Sequence, residues 1–259
     1  MPYTTHQGVR LHYQVEGEGP PLVLQHGFTD SLQTWYELGY VEALQRDYRL
    51  ILVDARGHGD SDKPHDPDAY AMAVIVGDIG AVLDAVHVPQ AHFMGYSMGG
   101  WIGFGMAQYA PEQLHALIIG GASPYPRTPK AWQQSLHVLQ QGAAAIVEMW
   151  GAPVSPTMRT RLLANDPEAL IAHTKKWMES GGFAEVLPTM RMPCLLYVGE
   201  AAGEYSRVKV CIQHMPTVTF VSFPGLNHVE TLFQRELVVP YVTQFLQAVR
   251  KSTTVQTSR

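Results

Sequence analysis

Ala91-His92-Phe93-Met94-Gly95-Tyr96-Ser97-Met98-Gly99-Gly100 passes from an apolar run into a serine flanked by glycines two residues away on either side. The run from Ala91 to Tyr96 reads as a buried strand, and Met98 to Tyr109 as a helix rich in small residues, stopped before Pro111. A chain that turns from strand to helix almost at a point must hold the turning residue at strained backbone angles. A side chain on either flanking glycine would strike neighbouring backbone. The spacing Gly95-x-Ser97-x-Gly99 meets that need and raises the Ser97 hydroxyl above the sheet, beside the positive end of the helix dipole. Ser97 is therefore the candidate nucleophile. Glycine and serine are common, so the spacing alone carries little; the strand before it and the helix after it carry the reading.

Working outward, apolar runs alternate with helical patterns, as in a parallel sheet covered by helices. Val9 to Val15, Pro21 to Gln25, Leu50 to Val53, Leu117 to Ile119, Cys194 to Val198 and Thr217 to Ser222 read as further strands. Tyr36 to Arg46, Ala69 to Val86, Arg207 to His214 and Glu230 to Val249 read as helices. Between Ser123 and Pro188 the alternation stops. Four helix-like patches, Ala131 to Gln141, Ala143 to Trp150, Pro156 to Ala164 and Pro167 to Met178, are punctuated there by Gly, Pro and Asn. The expected organisation is an α/β core of residues 1–122 and 189–259 carrying a helical cap, or lid, over 123–188. The core is expected to be a doubly wound, mostly parallel sheet.

The chain has 259 residues and a formal net charge of -5, enough length for one substantial core and no basic excess of the kind that nucleic acid selects. No stretch approaches 18 apolar residues, which argues against a membrane span, and the polar start Met1-Pro2-Tyr3-Thr4-Thr5-His6-Gln7 is unlike a secretory leader. Cys194 and Cys211 read as two buried free thiols, which suits a reducing cytoplasm. Ser252 to Arg259 is polar and expected to fray. The expected partner is a small-molecule substrate, with neither nucleic acid nor membrane; the oligomeric state is left open.

Acyl transfer at Ser97 needs donors for the developing oxyanion and a base for the serine proton. The backbone N–H of Met98 is one donor, and that of Phe28, in His26-Gly27-Phe28 after the Leu22-Val23-Leu24 run, is the other. His26 is expected to brace this loop. Of the 12 histidines, His228, in Phe223-Pro224-Gly225-Leu226-Asn227-His228 after the last strand, lies at the sheet edge where Ser97 emerges and follows it in the chain. His58 competes but precedes Ser97; its run, Asp54-Ala55-Arg56-Gly57-His58-Gly59-Asp60-Ser61, reads as a turn ordered by charge-assisted hydrogen bonds. The histidines show no metal-ligand spacing such as His-Glu-x-x-His, so neither metal nor cofactor is expected.

Together these four motifs resemble the α/β-hydrolase superfamily, most closely the branch of esterases, enol-lactonases, haloperoxidase-like perhydrolases and carbon–carbon bond hydrolases. The resemblance covers nearly the whole chain and implies a serine hydrolase acting on a carboxylic ester or lactone, with cleavage of a carbon–carbon bond, perhydrolysis or ligand reception as alternatives. It also implies a carboxylate to orient His228, placed three residues beyond the glycine that ends the strand after the cap. In Gly199-Glu200-Ala201-Ala202-Gly203-Glu204 that position holds Ala202. Three explanations stand: an aspartate removed from position 202 by substitution, service by Glu204 or Glu200 from the same loop, or no triad acid. In the cap, Trp132, Trp150 and Trp177 are expected to face the site together with Tyr96, which implies a hydrophobic or aromatic substrate portion. No cluster of arginines that would bind a phosphate or dicarboxylate is evident.

Overall fold

The computed structural model describes residues 2–151 and 154–257. Among them lie eight strands in one sheet: β1 Tyr3–His6, β2 Val9–Glu16, β3 Pro21–Gln25, β4 Arg49–Val53, β5 Ala91–Tyr96, β6 Leu114–Gly120, β7 Cys194–Gly199 and β8 Val218–Phe223. The spatial order is β1-β2-β4-β3-β5-β6-β7-β8. The β1/β2 and β2/β4 pairs are antiparallel, and every pair from β4/β3 to β7/β8 is parallel.

Parallel strands covered on both faces are apolar at consecutive positions. In β4, Leu50 and Leu52 face one core cluster while Ile51 and Val53 face the other. β5 divides likewise, Phe93 to one side and Met94 to the other. Helices α3 (Met72–Ala85) and α4 (Met98–Tyr109) cover one face, and α1 (Gln33–Glu37), α2 (Tyr40–Leu44) and α11 (Arg235–Thr257) the other. This is the expected doubly wound arrangement.

Several boundaries differ from the sequence reading, each for a local reason. β1 escapes the hydrophobic pattern because it is an edge strand, polar and half exposed. A two-residue turn at Gln7 and Gly8, both at positive φ, folds it onto β2. The helix expected over Tyr36 to Arg46 is two, broken by Gly39 at φ 74°. The last helix is also two, α10 (His228–Phe233) and α11, parted at Gln234. α11 continues to Thr257, through most of the tail expected to fray; residues 258–259 lie outside the described residues. Cys194 and Cys211 are free and buried, and burial pushes both thiols up to about 12.

Between β6 and β7 the described chain forms α5 (Pro129–Gln140), α6 (Ala143–Trp150), α7 (Pro156–Leu163) and α8 (Pro167–Met178), and no strand. Thr128, Ser155 and Asp166 cap α5, α7 and α8 through side-chain oxygens, each followed by a proline at the first helical position. These helices are fastened to the sheet side by polar contacts. Arg161 pairs with Asp30 and Glu37, Lys176 Nζ lies 2.7 Å from Asp68, and Trp177 Nε1 donates to the Tyr70 carbonyl at 3.2 Å.

Candidate active site

The loops that leave the C-terminal ends of β3, β5, β6, β7 and β8 meet on one edge of the sheet. Ser97 sits there between β5 and α4 at φ 56° and ψ −111°, left-handed backbone that few non-glycine residues adopt. Its flanking glycines are dictated by contact. A Cβ on Gly95 would lie 2.1 Å from the Gly99 carbonyl oxygen, and one on Gly99 would lie 2.1 Å from the Gln25 carbonyl oxygen. Ser97 N donates to the Gly120 carbonyl at 2.8 Å, which ties the turn to the neighbouring strand.

His228 Nε2 lies 2.9 Å from Ser97 Oγ. The ring is placed by α10, whose first residue it is. Asn227 caps that helix in a reciprocal box: its side chain accepts from Glu230 N at 2.9 Å, and its own N donates to Glu230 Oε2 at 2.8 Å. The sequence reading put His228 in a loop; the capping box starts the helix there, two residues before the expected start. The buried Tyr96 ring packs 5.3 Å from the imidazole, and its hydroxyl donates to the His228 carbonyl.

On the far side of the ring, Glu204 Oε2 lies 3.5 Å from His228 Nδ1. That is an ion-pair distance rather than a hydrogen bond, and Nδ1 is buried with no hydrogen-bond partner. Burial raises the Glu204 carboxyl, but the facing imidazole and the Arg127 charge outweigh it and hold the group below its ordinary value. A carboxylate beside Nδ1 favours the tautomer protonated there, leaving Nε2 to accept the serine proton. Ala202 is buried in the same loop and brings no polar atom to His228. Glu200 is engaged elsewhere, accepting from Ser222 Oγ at 2.7 Å on the exposed side.

The amides of Phe28 and Met98 face no backbone or side-chain acceptor among the described residues. The Phe28 loop adjoins the serine closely: a Cβ on Gly27 would touch Ser97 Cβ at 3.5 Å. His26 braces this loop, its Nε2 accepting from Ala55 N at 3.1 Å and its Nδ1 2.8 Å from the Gly27 carbonyl. His58 does not reach Ser97 by any hydrogen bond. It is fully buried, its Nδ1 is turned to the Arg56 carbonyl, and burial and His26 push it down to about 3. The rest of its run orders the loop as expected. Asp54 accepts from the Leu32 and Asp60 amides, and buried Arg56 pairs bidentately with Asp78. His12, Asp54 and Asp60 lie close enough together to offer three ligand atoms to a cation, but they do not line the cavities at Ser97.

Ser97 stands where two chambers join. The inner one is aromatic, lined by Trp101, Tyr125, Trp132, His173 and Trp177. The outer one holds His228, Leu139, Met149, Trp150 and Leu232. All three tryptophans expected at the site thus border it, Trp132 and Trp177 within and Trp150 without. Two arginines that the sequence reading did not place at the site, Arg127 and Arg207, line the inner chamber. Both have partners. Arg207 donates to the Tyr125 and Pro126 carbonyls, and Arg127 donates to Ser135 Oγ at 3.1 Å while lying over the Trp132 ring. They come from two elements far apart in the chain, so no local pattern announces them. His173 was also missed, although it stands one helical turn before Trp177 on α8 and shares its face.

A family model described as alpha/beta hydrolase fold matches residues 20–163, more than half of the chain. A Bacillus subtilis (strain 168) protein named as a 2-succinyl-6-hydroxy-2,4-cyclohexadiene-1-carboxylate synthase is 26% identical over 274 residues, covering 95% of this chain and 98% of that one. A bifunctional epoxide hydrolase 2 of Mus musculus is 35% identical over 115 residues, 44% of this chain but 20% of that protein's length. The crystal structure of the enol-lactonase from Burkholderia xenovorans LB400 superposes with a TM-score of 0.84 at 20% identity, covering 95% of this chain and 100% of that one. No helix among the described residues is long and apolar enough to cross a membrane.

Proposed function

Because the chain belongs to the α/β-hydrolase fold family, we propose that it is a serine hydrolase that cleaves a carboxylic ester or lactone with a hydrophobic portion, through an acyl-enzyme. One observation carries the reading: Ser97 Oγ, held on a strained turn, lies 2.9 Å from His228 Nε2. His228 takes the Ser97 proton as Oγ attacks the carbonyl carbon. The Phe28 and Met98 amides receive the oxyanion. The tetrahedral intermediate collapses, His228 returns the proton to the departing alkoxide, and water repeats the sequence to release the acid. Glu204 carries the orienting charge beside Nδ1, in place of the aspartate expected at Ala202. No cofactor enters any step.

Of the two chambers at Ser97, His228 lines the outer one and not the inner. It must protonate the leaving oxygen, so the leaving group occupies that side and the acyl group the aromatic inner chamber. The described residues of 123–188 form the cap over both. The serine also bears on the epoxide hydrolases among the relatives. Attack of a serine oxygen on an epoxide carbon would give an ether with no carbonyl for water to attack, a dead end; attack on an ester gives an acyl-enzyme that turns over.

The test is product analysis with p-nitrophenyl acetate, p-nitrophenyl phenylacetate and a vinylogous 1,5-diketone, by the native chain and by Ser97→Ala. Turnover should fall by about 10⁴-fold or more with the fold unchanged. Retained turnover in Ser97→Ala, or products from a broken carbon–carbon bond alone, would overturn the reading.

A further inference from the structure

Four non-glycine residues among those described hold a positive φ, and Thr29, at 67°, is the β-branched one. Branching at Cβ makes this conformation a genuine outlier, which persists only where the surroundings impose it. Thr29 directly follows Phe28 and is 1% exposed. Both of its polar handles are held from the segment between β6 and β7. Its carbonyl accepts from Asn165 Nδ2 at 2.8 Å, and its hydroxyl accepts from Trp150 Nε1 at 3.0 Å. Asn165 is itself fixed, its Nδ2 also donating to the Leu162 carbonyl at 3.0 Å. The next residue, Asp30, is seized from the same side by Arg161 of α7. Relaxation of Thr29 to negative φ would swing the preceding chain, Phe28 with it, about the Thr29 N–Cα bond.

We infer that Asn165 and Trp150 are positioning residues that clamp Thr29 in its left-handed conformation and so aim the Phe28 amide. The oxyanion hole is therefore complete only when the helices over the site are seated. This rests on the serine-hydrolase reading above and adds to it a coupling between cap and catalytic loop. Neither side chain touches the reacting atoms in this role. The clamp supplies geometry for the charge that develops in the transition state, so its loss falls on kcat rather than on ground-state binding.

The experiment compares the native chain with Asn165→Ala, Asn165→Asp and Thr29→Gly/Asn165→Ala on p-nitrophenyl acetate and phenylacetate. Each is also titrated with a phenylmethyl trifluoromethyl ketone, which forms a tetrahedral adduct. Asn165→Ala and Asn165→Asp, which both lose the donor, should lower kcat by about ten- to a hundredfold and weaken the ketone in parallel, with KM within about twofold. Thr29→Gly should restore most of the kcat, because glycine holds positive φ without a clamp. This recovery separates positioning from a folding defect, which glycine would worsen. A native kcat in Asn165→Ala, a rise in KM alone, or no recovery with Thr29→Gly would overturn the inference while leaving the serine mechanism standing. Full turnover by a Ser97→Ala control would instead sink the mechanism, and the inference with it.

Discussion

Glu204 is the residue on which the site turns, because it sits where a partner for His228 is needed and yet stands 3.5 Å off, short of a hydrogen bond. Replacing it with glutamine removes the charge that stabilises the imidazolium and should lower kcat by about 10³- to 10⁴-fold. The carboxyl is held below its ordinary value, so it is already ionised throughout the neutral range. Ala202→Asp alone should change activity little, and in the Glu204→Gln background it should recover part of the loss. A strong gain from Ala202→Asp with no loss from Glu204→Gln would move the acid's seat back to position 202. The meeting of Ser97 and His228 was legible because each belongs to a short local run whose spacing has a physical reason; Glu204 was only one of three alternatives, since the resemblance pointed to position 202. Arg127, Arg207 and His173 were not legible, because they meet only after the chain between β6 and β7 folds back over the sheet edge.

At the scale of elements, the strand–turn–helix at Ser97 tolerates nothing larger than glycine on either flank. Gly99→Ala would drive a methyl into the Gln25 carbonyl and Gly95→Ala into that of Gly99, both unyielding backbone. Each should cost about 3 kcal/mol or more, read as a fall in the urea midpoint. The start of α10 is softer. Asn227→Ala removes the capping box and should cost about 1 kcal/mol in the same assay. Its effect on kcat should exceed that modest loss, because the cap sets the angle at which His228 meets Ser97. The helices of the segment between β6 and β7 were legible to within two residues; prolines and capping side chains mark the starts of α7 and α8, and Gly142 that of α6. β1, the break at Gly39 and the early start of α10 were missed. A polar edge strand carries no hydrophobic pattern; the break at Gly39 and the Asn227–Glu230 capping box are local signals that the apolar periodicity overrode in the reading.

Across the whole molecule, several buried histidines are held neutral. Burial pushes His58 down to about 3 and His92 to about 4, lowers His26, and takes His173 well below the ordinary 6.5. Each takes up a proton on unfolding once the pH is below its unfolded value, so the unfolded state binds more protons there. Stability therefore falls as the pH drops below about 6.5 and continues to fall until the folded-state values are reached, by about 1.4 kcal/mol per pH unit per group. His173→Phe, which keeps an aromatic ring among Phe28, Tyr70 and Trp177, should flatten this slope in urea titrations between pH 5 and 7; parallel curves would refute it. The same aromatic packing lines the inner chamber and joins α8 to the sheet side beside Ser97. The most direct measurement on that serine is rapid mixing with p-nitrophenyl phenylacetate, acid quenching within the first turnover, and peptide mass spectrometry. A phenylacetyl group on the peptide containing Ser97, formed and lost at rates consistent with turnover, is the predicted result. Steady hydrolysis with that peptide unmodified, or with the acyl group on another residue, would contradict the account.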